Sequence, residues 1–137
     1  MRVAVASSAL LLFIIPAPGL AQSHAIVPTP FEVAAINSDC ERGDQARCIH
    51  LGILHRRGMG VEVDARRAIE LFVSACESGY SLACAFAGDM AFAGSGVAES
   101  PEHGEALMRG ACKKRNEWAC ETMRRRGLIR NRTDALS

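Results

Sequence analysis

Cys40-Glu41-Arg42-Gly43-Asp44-Gln45-Ala46-Arg47-Cys48 returns 36 residues later as Cys76-Glu77-Ser78-Gly79-Tyr80-Ser81-Leu82-Ala83-Cys84. It returns 36 residues after that as Cys112-Lys113-Lys114-Arg115-Asn116-Glu117-Trp118-Ala119-Cys120. Outside the cysteines the same step relates Gly52 to Gly88, Gly58 to Gly94, Gly60 to Gly96, Val61 to Val97, Leu71 to Leu107 and Ala75 to Ala111. A register of this kind marks one supersecondary unit stacked on copies of itself.

Each period reads as two helices. Ala46, Ile49, Leu51, Ile53 and Leu54 form an apolar helical segment that ends at Arg57, before Gly58-Met59-Gly60. A second segment starts near Asp64 and carries Ala65, Ala68, Ile69, Phe72, Val73 and Cys76 at spacings of three and four, one face of a helix. In the next copy Ser100-Pro101-Glu102 stands at the same start and supplies an N-cap, a first-turn proline and an early acid. Gly58, Gly60, Gly94 and Gly96 suit turns that need positive φ, and Gly52, Gly88, Ala68 and Gly104 suit close approach between helices.

The third copy is incomplete. Arg124, Arg130 and Arg132 fall where the earlier copies carry glycine, and Asn116 to about Arg126 reads as a charged capping helix. Upstream, Phe31 to Cys40 reads as the second helix of a half-repeat. The expected organisation is a signal peptide over 1–21, a flexible leader over 22–30, a repeat domain over 31–126 and a basic tail over 127–137. Within the domain, full repeats start at 40 and 76 and the capping helix at 112. The fold class is all-α, a short α/α solenoid.

Two cysteines eight apart on one helix would be about 12 Å apart, too far for a disulfide, whose Cα atoms lie within about 7 Å. The chain must reverse between them, and Gly43 and Gly79 sit where it would do so. Six cysteines allow 15 pairings. Repeat symmetry leaves Cys40–Cys48, Cys76–Cys84 and Cys112–Cys120 as the scheme that strands none. Zinc is the poorer reading, because Cys-x2-Cys is absent and His50, His55 and His103 lack the spacing of four that pairs imidazoles on a helix.

The first residues bear on the compartment. Arg2, the uncharged run Ala9 to Ile15, helix-breaking Pro16 and Pro18, and small residues in Gly19-Leu20-Ala21 read as a secretory signal cut between Ala21 and Gln22. The run is well short of the roughly 20 residues that span a bilayer, so no stable membrane insertion is expected. The mature protein is expected to be periplasmic or secreted, where disulfides persist.

Cys-x2-Gly-x4-Cys, the Gly-x-Gly-Val turn, and Ala75-Cys76 and Ala111-Cys112 closing a helix resemble the Sel1-like repeat proteins. The closer similarity is to their secreted cysteine-rich branch, the Helicobacter cysteine-rich protein type, over about Ser38 to Cys120. The resemblance implies a tetratricopeptide-like scaffold that binds a protein or peptide of the envelope. It also implies one alternative, a β-lactamase-like protein that binds a cell-wall-related small ligand and hydrolyses β-lactams weakly; an immunity or inhibitor protein is a further alternative. Arg115 in place of Gly43 and Gly79 departs from the pattern.

Chemistry is sparse in the residues themselves. Lys113 and Lys114 are the only lysines and neither follows a serine by three, so the Ser-x-x-Lys pairing of a serine β-lactamase is missing. No catalytic residue, metal ligand set or cofactor motif is identified. His50, His55, Glu70 and Glu77 are the acid-base candidates, with ordinary solvated helix surface as the competing reading, and Trp118 reads as a core anchor or cap. The net charge of +1 gives no reason to invoke nucleic acid. Its distribution is uneven: Lys113 to Arg132 sums to +6 and Gln22 to Cys112 to −5. The basic end suits an anionic envelope surface or acidic partner, or else a solvated cap with a frayed tail.

Overall fold

The computed structural model describes residues 27–137. The expected signal peptide and its expected cut between Ala21 and Gln22 lie outside these residues. Six helices follow one another as antiparallel neighbours: α1 (Pro30–Glu41), α2 (Gln45–Arg57), α3 (Ala65–Glu77), α4 (Ser81–Ala93), α5 (Pro101–Lys113) and α6 (Glu117–Arg125). A 3-10 turn, Thr133–Ala135, closes the chain, and there is no strand among the described residues. The architecture is a short α/α solenoid in which α2, α4 and α6 are the first helices of successive repeats and α1, α3 and α5 the second.

Local chemistry fixes the helix limits. The side chains of Asp44, Asp64, Ser100 and Asn116 each accept the backbone N–H three residues on, satisfying donors that a helix start leaves free. Gly58 and Gly94 end α2 and α4 in the left-handed conformation, at φ 67° and 62°. The loops that follow are tied back in register, Asp64 N–H donating to His55 O at 2.9 Å and Ser100 N–H to Ala91 O at 3.0 Å.

The tighter turns between second and first helices are alike three times over. Gly43, Gly79 and Arg115 donate their N–H to Cys40, Cys76 and Cys112 at 2.9, 2.8 and 2.9 Å, and all three have positive φ, 97°, 98° and 64°. Arg115 therefore keeps the turn of the glycines it replaces.

The core is layered between helices. α4 lies at the centre, with Ala83, Cys84, Ala85, Ala87, Gly88, Met90, Ala91 and Phe92 all buried, as a helix with neighbours on most sides requires. Phe72 of α3 is fully buried and lies against Gly52 of α2, where a Cβ would come within 2.7 Å of its ring. Removing that ring would cost about 3–5 kcal/mol.

Both ends of the packed body differ from the sequence expectation. The leader expected over 22–30 is structured at its end: Thr29 and Glu32 form a capping box that starts α1 at Pro30. Pro28 packs on the α2–α3 turn so closely that a Cβ on Gly60 would lie 2.5 Å from its carbonyl oxygen. At the other end, 127–137 is not frayed. Ile129 is 4% exposed and Ala135 fully buried, both in the cluster beneath α5 and α6, and Arg109 Nη1 donates to Asp134 O at 2.9 Å. Two apolar side chains and one half-buried cation suffice to dock a segment whose composition reads as basic.

Candidate functional site

Disulfides join Cys40 to Cys48, Cys76 to Cys84 and Cys112 to Cys120, with Cα–Cα distances of 4.7, 4.6 and 4.8 Å. Each ties a second helix to the first helix of the next repeat. With all six sulfurs so engaged, the chain offers no free thiol as nucleophile or metal ligand. No three His, Cys, Asp or Glu side chains gather to hold a metal among the described residues.

The acid-base candidates are dispersed. His50 lines a groove between α1 and α2 with Glu32, Asp39 and Arg47. His55 lines a different groove, of about 420 Å³, with Val33, Asn37 and Val61. Glu70 and Glu77 border a third, of about 560 Å³, floored by Ile69, Val73 and Val97 and closed by His103. The pair of histidines and the pair of glutamates therefore share no site. The third groove is the roomiest, but Ile69, Val73 and Val97 stand 36 residues after Val33, Asn37 and Val61 of the second. The space recurs because the Gly-x-Gly-Val turn docks the same way in both full repeats.

What does not recur is an aromatic line across the first helices. The Phe86 ring of α4 lies 5.4 Å from the Trp118 ring of α6 and 4.9 Å from buried Phe72 beneath it. Arg56 of α2 places its guanidinium 4.7 Å over Phe86 and 3.5 Å from the carboxylate of Asp89. Stacking, cation–π attraction and an ion pair thus connect three repeats on one face. Phe86 and Trp118 are half-buried, and Leu82 beside them is 44% exposed. Next to Trp118 opens a pocket of about 330 Å³, lined by Asp89, Thr122, Arg125 and Arg126. Arg126 rests over Phe92 at 4.0 Å, whereas the Arg125 side chain is 65% exposed and leans on Glu121 at 4.0 Å.

Sequence reading missed this face. Phe86 and Trp118 are 32 residues apart and Arg56 and Asp89 33, each about one helical turn short of the 36-residue period. A search for neighbours at the period less three or four would have found both. Trp118 packs against the last core cluster, as an anchor or cap does, but one edge faces the pocket.

Solved structures similar to this chain include Sel1-type repeat proteins. The protective antigen c5321 of uropathogenic Escherichia coli, described as displaying an SLR fold, superposes with a TM-score of 0.67 at 26% identity over 72% of this chain and 22% of its own. A Sel1 repeat protein from Oxalobacter formigenes gives 0.65 at 21% identity over 69% and 39%. Helicobacter pylori cysteine rich protein B gives 0.61 at 26% identity over 66% of this chain and 68% of its own. The chain thus spans about a fifth and two fifths of the first two. No protein-family model and no curated protein matches the sequence. By fold, register and one disulfide in every repeat, the chain has a Sel1-like repeat architecture and is similar to the cysteine rich protein B of Helicobacter pylori.

Proposed function

We propose that the protein is an exported interaction module that binds a short segment of another envelope protein on the face of its first helices. The observation that carries this reading is the line Arg56–Phe86–Trp118 beside the Trp118 pocket. Half-buried aromatic rings next to an accessible arginine are the side chains in which interfaces concentrate their binding energy. Here the rings would take an apolar side chain, and Arg125 a neighbouring carboxylate. Extended faces of stacked helix pairs are the usual recognition surfaces of solenoids.

Export is supported by the charge and hydropathy pattern of residues 1–21 and by three disulfides, which persist in oxidising compartments. No helix among the described residues is long and apolar enough to cross a membrane.

Trp118 is the only tryptophan, so its emission reports occupancy of the face directly. The test titrates oxidised protein with two sets of short peptides, in which an aromatic residue is flanked by acids or by lysines. Acidic peptides are expected to shift the emission saturably, and Phe86→Ala and Arg125→Glu to weaken them by about tenfold or more. Equal binding of both sets, or binding indifferent to both variants, would refute the reading.

A further inference from the structure

We propose that the two neighbouring corners closed by Cys76–Cys84 and Cys112–Cys120 dock on the surface of an anionic lipid bilayer, Lys113, Lys114 and Arg115 supplying the charge and Tyr80 an interfacial ring. None of these residues belongs to the aromatic line of the first helices, and the inference does not rest on peptide binding there.

Eight cations lie between Lys113 and Arg132, and the structure divides them into two sets. Arg124 and Arg125 lean on Glu121, Arg130 on Asp134 and Arg132 on Glu117, while Arg126 rests over Phe92. Lys113, Lys114 and Arg115 are exposed and pair with no acid among the described residues. Residues 1–26 contain no Asp or Glu, so the sequence holds no further acid for them. The unpaired positive charge of this end is therefore concentrated in one turn.

Repeat register shows that this turn is built against local preference. Lys113 stands where Glu41 and Glu77 do, and Arg115 where Gly43 and Gly79 do. Arg115 takes the turn's positive φ, 64°, which disfavours a β-carbon, so the third corner accepts backbone strain and displays a cation. The corner beside it makes a parallel exchange. Tyr80 occupies the N-cap position of α4, where Asp44 and Asn116 cap α2 and α6 through their side chains, and the tyrosine makes no such bond. Its side chain stands in solvent instead, 44% of the residue being exposed. Two register positions thus depart from what turn and helix chemistry favour, and each departure presents a larger side chain outward.

Lys114 joins the two corners, its Nζ donating to Gly79 O at 3.2 Å, next to Tyr80 in the chain. Glu77, the acid of the second corner, borders the groove between α3 and α5 with Glu70 and His103. None of the four grooves described above is lined by Tyr80, Lys113, Lys114 or Arg115, so they offer no cleft that would order a bound peptide. An anionic bilayer needs no cleft. Its phosphates attract cations that stay mobile, and a tyrosine ring rests at the level of its headgroups.

Cosedimentation of the oxidised protein with vesicles reads the binding, phosphatidylglycerol mixed with phosphatidylcholine against phosphatidylcholine alone. Retention by the anionic vesicles that falls with added salt is expected. Lys113→Gln together with Arg115→Gly should weaken it by about tenfold or more, and Tyr80→Asn by about threefold or more. Arg115→Gly and Tyr80→Asn restore the residues of the other corners, so a denaturant midpoint no lower than the native one separates lost binding from lost folding. Arg124→Gln together with Arg130→Gln removes as much charge from the paired set and should weaken binding far less. Equal retention by both kinds of vesicle overturns the proposal, as do equal losses from the two charge-removing pairs. So does an acidic peptide held through Lys113 and Arg115 by a protein that no vesicle retains.

Discussion

Gly88 of α4 and Gly104 of α5 face each other so closely that a Cβ built on either would lie 3.0 Å from the carbonyl oxygen of the other. The contact is to backbone, which cannot turn aside as a side chain can. Gly88→Ala is therefore expected to destabilise by about 1–3 kcal/mol despite the better helix propensity of alanine. Gly110, also within α5, has no atom within 4 Å of its would-be Cβ, and Gly110→Ala should stabilise by about 0.5–1 kcal/mol. Opposite shifts of the denaturant midpoint would establish the pair, and equal shifts would refute it.

Arg115 holds φ 64° in a turn that its two predecessors make with glycine. A β-carbon in that conformation costs on the order of 1 kcal/mol, so Arg115→Gly should raise stability by roughly that amount. Gly79→Ala should lower it, although no atom but Lys114 Nζ, at 3.9 Å, lies near. Chemical denaturation of both variants with disulfides intact checks the signs.

Each disulfide closes a short loop, and the chain-entropy model assigns about 2.5 kcal/mol to one of this length. Replacing Cys76 and Cys84 together by serine should cost about 2–4 kcal/mol, read as a lower denaturant midpoint. Non-reducing peptide mapping of the native protein should return three local links and no long-range one.

Asp134 anchors the tail by accepting the N–H of Arg130 at 2.8 Å and of Asn131 at 3.3 Å. The Arg130 N–H, above all, holds its carboxyl below the ordinary carboxylate value. A depressed folded-state value means that the contribution is complete above the unfolded value, near pH 4, and is lost as pH falls through the folded one. Amides of Ile129 to Ala135 should exchange faster with solvent below about pH 4 while those of α4 stay protected. Asp134→Asn should show the same loosening at neutral pH.

Much of the fold was legible because its punctuation is local. Asp64, Ser100 and Asn116 announce helix starts, Gly58 and Gly94 announce helix ends, and the 36-residue step makes each observation count more than once. The candidate site was not legible, since its partners come from different repeats at a diagonal one turn off the period. The acid-base candidates lie apart for a simple reason: His50 and His55, five apart, point about 140° from each other around α2. The docked tail also escaped notice, because two apolar residues six apart, Ile129 and Ala135, carry no periodic signal.

The three sulfur links also decide how the molecule would carry mechanical load. Tension applied at the two ends enters each Cys-x7-Cys loop at one cysteine and leaves at the other through the sulfurs, so the seven residues between bear none of it. Only the segments around the Gly-x-Gly turns can be drawn out, and the oxidised chain reaches full extension about 70 Å short of the reduced one. Pulled apart, the protein should give way in repeat-sized steps at the glycine turns, with the three stapled corners arriving intact at full stretch.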